Sequence, residues 1–218
     1  MSTFAASPHA ISNEDVAVFA DNCVFMRSIY LHGRTLFELS SAEDKERMSK
    51  TAGTFFGDLN RMFIEYMILQ VCKITDPARD VRGSDNHTVA FLLSKYDSGG
   101  DCAKKATLDA LNDRLQRFRR KLLPARNKLI SHSDRAAILA GAALGGAPQT
   151  DWDQFWLDLQ DVVCIIYERV FGRPFYINGV AMLSDADELL KALKLAACFD
   201  ELMKDPSLAS RCANLALR

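Results

Sequence analysis

The sequence predicts an all-α protein, an up-and-down bundle of about five to seven helices. Three observations carry that expectation. Apolar residues recur at intervals of three and four through several long stretches, the period of an amphipathic helix. Those stretches open on Ser, Asp or Thr caps and close on Gly or Pro, as helices do. Only residues 174–183, two short apolar pieces about Asn178-Gly179, suit a small β-hairpin. With 218 residues and 49% hydrophobic content the chain can bury a sizeable core, and a single helical domain over 1–218 is expected. Residues 1–11 show no period and are expected to be loosely packed. No internal repeat or second composition regime is visible.

Ser12 to Asp15 form a cap with an acidic first turn, and Val16, Phe19, Cys23, Met26, Tyr30, Gly33 and Phe37 follow as one apolar face. Ser40-Ser-Ala-Glu43 reads as a capping box opening a second helix to about Ile74. Its second half is apolar on nearly every face, which places it in the middle of a bundle. Gly53 and Gly57 are either a site of close helix approach or a weak spot. The run 75–85 is a loop by its turn residues, and Asp85 or Asn86 is expected to cap a short helix after it. Asp76, Arg79, Asn86 and His87 are read first as loop and capping residues, with a contribution to a site as the alternative. Asp101 caps a helix with Leu108, Leu111, Leu115, Phe118 and Leu122 inward, and Pro124 is expected to kink or restart it. Residues 136–149 read as a linker or flap. Thr150 and Asp153 are expected to cap the next helix, whose stripe from Trp152 to Val170 ends at Gly172. Ser184 begins the last long helix, which stops at Asp205-Pro206.

Composition narrows the chemistry. The formal net charge is −1, so the total does not announce a nucleic-acid partner. The distribution says more, and it suits either an RNA-binding face or solvated arginines on an outer helix face. From Arg114 to Arg135 eight basic residues face only Asp134, a local excess of seven. Six cysteines are scattered without a C-x-x-C pair, so neither a zinc site nor a disulfide framework is expected, and most should be small core residues in a reducing cytoplasm. No metal and no cofactor are expected. No signal peptide and no membrane span are evident.

The chemistry is expected in Pro124 to Asp134, Pro-Ala-Arg-Asn-Lys-Leu-Ile-Ser-His-Ser-Asp. Arg126 is a permanent cation whose planar fork suits a phosphate, and His132 can move a proton near neutral pH. Asn127 lies between them. Six helical residues span about 9 Å and roughly 120°, so convergence of the two side chains requires the long arginine or a frayed last turn. Such a pair is the minimum equipment for phosphodiester cleavage without a metal.

Arg126, the polar Asn127, four further residues and His132 resemble the signature of the HEPN superfamily. The wording "RNKLISHSD", with "KITDPARD" and "DNHTVAFLL" upstream, resembles its bacterial abortive-infection branch more narrowly. The resemblance implies an all-helical, homodimeric, metal-independent endoribonuclease acting as a toxin or phage-defence effector. In such an enzyme Arg126, His132 and Asn127 would be catalytic, and Arg119, Arg120 and Lys128 would contact RNA. It also leaves room for an antitoxin or nucleotidyltransferase partner. Two alternatives stay open at this level. One is a non-catalytic HEPN-like module that binds nucleotide, RNA or a partner, and the other is a plain helical adaptor.

Overall fold

The computed structural model describes residues 11–127, 146–178 and 185–205. Six α-helices account for most of them: α1 (Asn13–Gly33), α2 (Ala42–Ile74), α3 (Val89–Lys95), α4 (Cys102–Ala125), α5 (Gln149–Phe171) and α6 (Ala186–Leu202). Among the described residues there is no strand, and the all-α class is as the periodicity predicts. The chain divides into two compact units, 1–27 with 65–180 and 28–64 with 181–218. Residues of α1 and α2 belong to both.

In the first unit, α4 buries Leu108, Leu111, Leu115, Phe118 and Leu122, the five positions its period selects. α5 lies along it and buries Phe155, Trp156, Leu159, Val162, Val163 and Ile166. Phe118 meets Trp152 and Phe155, each at 4.9 Å between ring centroids, and Arg27 of α1 sits 4.8 Å from the Trp156 ring centroid. The second unit has a smaller core of Leu36, Met48, Phe56 and Ala186, flanked by Phe63 and Leu193.

Capping follows the predicted chemistry, with shifts of a residue or two. Asp101 caps α4, accepting from the Lys104 N–H at 2.9 Å. Ser41, rather than Ser40, caps α2, accepting from Asp44 N–H at 3.0 Å while its hydroxyl donates to Asp44 Oδ2 at 2.7 Å. That hydroxyl and the Arg47 guanidinium hold the Asp44 carboxyl below the usual range. Thr88 caps α3, because Asp85 pairs with Arg79 and the Asn86 amide donates to the Pro77 carbonyl. α5 begins at Gln149 with Pro148 as its N-cap, a residue that already carries helix-compatible φ, so Thr150 lies inside the helix. Gly172 ends it at φ 69°, as predicted.

Four local expectations change. α1 stops at Gly33 and continues as a π turn, Arg34–Leu39, whose larger number of residues per turn shifts the inward face, and Leu36 rather than Phe37 is buried. α2 is kinked at Ala52. Among the described residues nothing lies within 4 Å of a Cβ built on Gly57, and Gly53 meets only Ser49 of its own helix, which fits the weak-spot alternative. Gly33 makes the close approach instead, with Phe63 at 3.5 Å. Finally, 174–178 form a loop and turn with no strand. The buried Gln160 explains this: its amide donates to the Phe175 carbonyl at 2.8 Å, and its oxygen accepts from Asn178 N–H at 3.2 Å. Ile177 is buried beneath. The backbone groups of a hairpin are thus satisfied by one side chain. The remainder of the expected hairpin, 179–183, lies outside the described residues.

Candidate functional site

α4 carries the basic residues toward the proposed site, and its backbone passes through Pro124 without leaving the helix. α4 does not restart at Pro124. Proline removes one N–H from the last turn, and the turn is completed by Arg126, whose own N–H reaches the carbonyls of Leu122 and Leu123. Arg126 has helical angles of φ −54° and ψ −50° and opens a π turn with Asn127.

The Arg126 side chain is half-buried and Asn127 is exposed. Arg126 Nη1 donates to Asn127 Oδ1 at 2.9 Å. Among the described residues the guanidinium has no carboxylate partner. Lys128 and His132 lie outside the described residues, as do the linker residues 136–145.

The stretch from Arg114 to Lys121 is less positive in space than in sequence. Arg114 Nε donates to both oxygens of Asp158 at 3.0 Å, and Gln154 Nε2 adds a third bond at 2.8 Å. Lys121 pairs with Asp151 at 2.6 Å. Arg119, expected to contact RNA, forms a partly buried ion pair with Asp76. Arg117 and Arg120 are exposed and have no such partner among the described residues. Of the six described cations from Arg114 to Arg126, Arg114, Arg119 and Lys121 thus carry acidic partners from α5 and from the loop after α2.

Asp76, in the loop after α2, reaches across to α4 and pairs with Arg119. The neighbouring Thr75 is fully buried, its hydroxyl donating to the Val71 carbonyl at 2.5 Å and its own carbonyl accepting from Gln116 Nε2 at 2.7 Å. Cys72, one turn earlier, is buried. Burial pushes its thiol up, while Arg119 and Arg126 pull it back and Asp76 adds to the rise. Two guanidiniums and one carboxylate therefore act on the same thiol. A separation of 43 residues between Asp76 and Arg119 leaves no periodic signal by which the pairing could be read.

The other loop candidates make local contacts, Arg79 with Asp85 and Asn86 with the Pro77 carbonyl. His87 Nε2 lies 2.9 Å from the Asp15 carbonyl, and its ring meets Phe19 and Phe91 edge-on. Of the cysteines, Cys23 and Cys72 are buried, Cys164 is half-buried, and Cys102 and Cys198 are exposed, so only some are core residues. Among the described residues no group of His, Cys, Asp and Glu is placed to hold a metal. No described helix is long and apolar enough to cross a membrane.

Among the described residues the basic helix thus ends on Arg126-Asn127, the described half of the arginine–histidine motif. The AbiU2 family of HEPN proteins matches over residues 16–174. The chain belongs to that abortive-infection-associated family. No match was found among curated proteins or solved structures.

Proposed function

We propose that this protein is a metal-independent endoribonuclease, an abortive-infection effector that cleaves RNA through its own 2′-hydroxyl. The 2′-oxygen attacks the adjacent phosphorus, the P–O5′ bond breaks, and a 2′,3′-cyclic phosphate and a 5′-hydroxyl remain. His132 moves a proton at the attacking or leaving oxygen, and Arg126 neutralises the charge that develops on the phosphorane. Asn127 orients that guanidinium. One imidazole does not serve as both base and acid in a single step, so a homodimer that brings two segments into one cleft supplies the second. The protein would work in the cytoplasm as one HEPN-like domain, with Lys128 and Arg120 on the RNA backbone and a cognate antitoxin or nucleotidyltransferase controlling it.

The supporting observation is Arg126. It is the cation at the end of α4 whose described partner is the neutral Asn127, so its charge remains available to an anion. The decisive assay is RNA cleavage in EDTA by wild type, His132→Ala and Arg126→Ala. Each substitution is expected to lower the rate by roughly 100-fold or more, and equal rates would remove the mechanism. Light scattering should give a dimer mass.

A second reading is a HEPN-like module that binds RNA, nucleotide or a partner without turnover. The ion pairing of Arg114, Arg119 and Lys121 favours it, since fewer cations are left to hold a reacting strand. Tight RNA binding with no product in the same assay would select it.

A further inference from the structure

Arg126 stands seven residues after Arg119, as the cap that follows the end of α4. The electrostatics of both arginines reach the Cys72 thiol at the end of α2. Asp76 meets the first of them. Its carboxylate pairs with Arg119 Nη2, and the two side chains retain 30% and 19% of their exposure. The backbone that carries Asp76 is itself tied down, because the Thr75 carbonyl accepts from Gln116, one turn before Arg119. Nη2 is the one Arg119 donor engaged among the described residues, and Nε is sealed without an acceptor.

A guanidinium held through one terminal nitrogen by a carboxylate still has its other terminal nitrogen to offer, and its orientation is no longer free. We propose that Asp76 is a positioning residue that fixes Arg119 as a phosphate contact additional to Arg126 for a single RNA strand. This rests on the endoribonuclease reading for the identity of the ligand, although it requires binding alone. An opposing view is available: Asp76 merely cancels Arg119. The two views disagree in sign for one substitution. If Asp76 cancels charge, removing it strengthens binding to a polyanion. If it positions, removal weakens binding although the protein becomes more positive.

The experiment uses the full chain carrying His132→Ala, so that RNA is bound and not consumed, with a fluorescein-labelled single-stranded RNA of mixed sequence titrated at several salt concentrations. Arg119→Gln is expected to weaken binding about tenfold and to lower the salt slope by about 0.7, the increment for one phosphate contact on a single strand. Asp76→Ala should weaken binding by roughly 3- to 10-fold. Asp76→Asn, which keeps a hydrogen-bond acceptor for Arg119, should stay near the parent. The double variant Asp76→Ala/Arg119→Gln should bind no worse than Arg119→Gln alone. Arg119→Lys, which keeps the charge and loses the fork, guards against a folding defect in Asp76→Ala and is expected to lose most of the same affinity. Equal or tighter binding by Asp76→Ala, additive losses in the double variant, or unchanged binding by Arg119→Lys would each overturn the proposal. In those cases the parent still binds, and the nuclease reading survives. A parent that binds no RNA removes both.

Discussion

Asp158 is buried with 2% of its surface exposed, whereas the Arg114 side chain that pairs with it is 40% exposed. The two ends of this ion pair are therefore unequal. Removing Arg114 leaves a carboxylate inside the protein with Gln154 as its remaining partner among the described residues, and an uncompensated buried charge is strongly destabilising. Removing Asp158 leaves an arginine that water can reach. Arg114→Ala is expected to cost about 3 kcal/mol and Asp158→Asn clearly less, measured by urea unfolding. The reverse order would show that Asp158 is not sealed in solution. Thiols give a second residue-scale test. Burial pushes the Cys23 thiol far up, which suppresses the reactive thiolate. In the native protein lacking Cys212, two thiols, Cys102 and Cys198, should be labelled rapidly, and Cys23 and Cys72 only on unfolding. Rapid labelling of Cys23 would contradict its burial.

At the scale of single helices, glycine has opposite meanings at two positions. Gly57 lies inside α2 with no atom of the described residues within 4 Å of a built Cβ, so Gly57→Ala should stabilise by roughly 0.5–1 kcal/mol through helix propensity. Gly172 holds φ 69° at the end of α5. There Gly172→Ala should destabilise by about 1 kcal/mol, and thermal melting of the two variants should move in opposite directions. The Ser41 cap adds a pH signature. The Asp44 carboxyl is held low chiefly by the Ser41 hydroxyl. A depressed carboxylate pKa contributes stability above its unfolded value, about 3.9, and that contribution is lost as pH falls through the lower folded value. Ser41→Ala should thus lower stability at neutral pH, by about 1 kcal/mol from the lost cap, and the gap to wild type should narrow as acid protonates Asp44. A gap unchanged down to pH 2 would mean the hydroxyl does not hold the carboxylate.

At the scale of the whole molecule, the pairing of α4 with α5 organises the first unit. Leu115 and Leu159 are fully buried, and either one changed to Ala is expected to cost roughly 2–5 kcal/mol. The same packing redistributes the charge that a linear reading piles onto residues 114–135. Three of the cations there meet Asp158, Asp151 and Asp76, so RNA affinity should be modest at physiological salt and fall less steeply than eight phosphate contacts would require.

Sequence alone determined what depends on neighbours in the chain. The helical period exposed the inward faces of α4 and α5 residue by residue, Asp101 and Gly172 announced their ends, and Arg126-Asn127 with His132 pointed to a family that the match over 16–174 bears out. These are local properties, because backbone geometry and capping are decided within a turn or two. Tertiary structure decided what depends on residues distant in sequence. Gln160 satisfies the 175–178 backbone across 15 and 18 residues and leaves no hairpin there. Asp76 meets Arg119 across 43 residues, and Asp158 meets Arg114 across 44. No period links such partners. A charge can be counted from the sequence, but which opposite charge desolvates with it is set only when the helices pack.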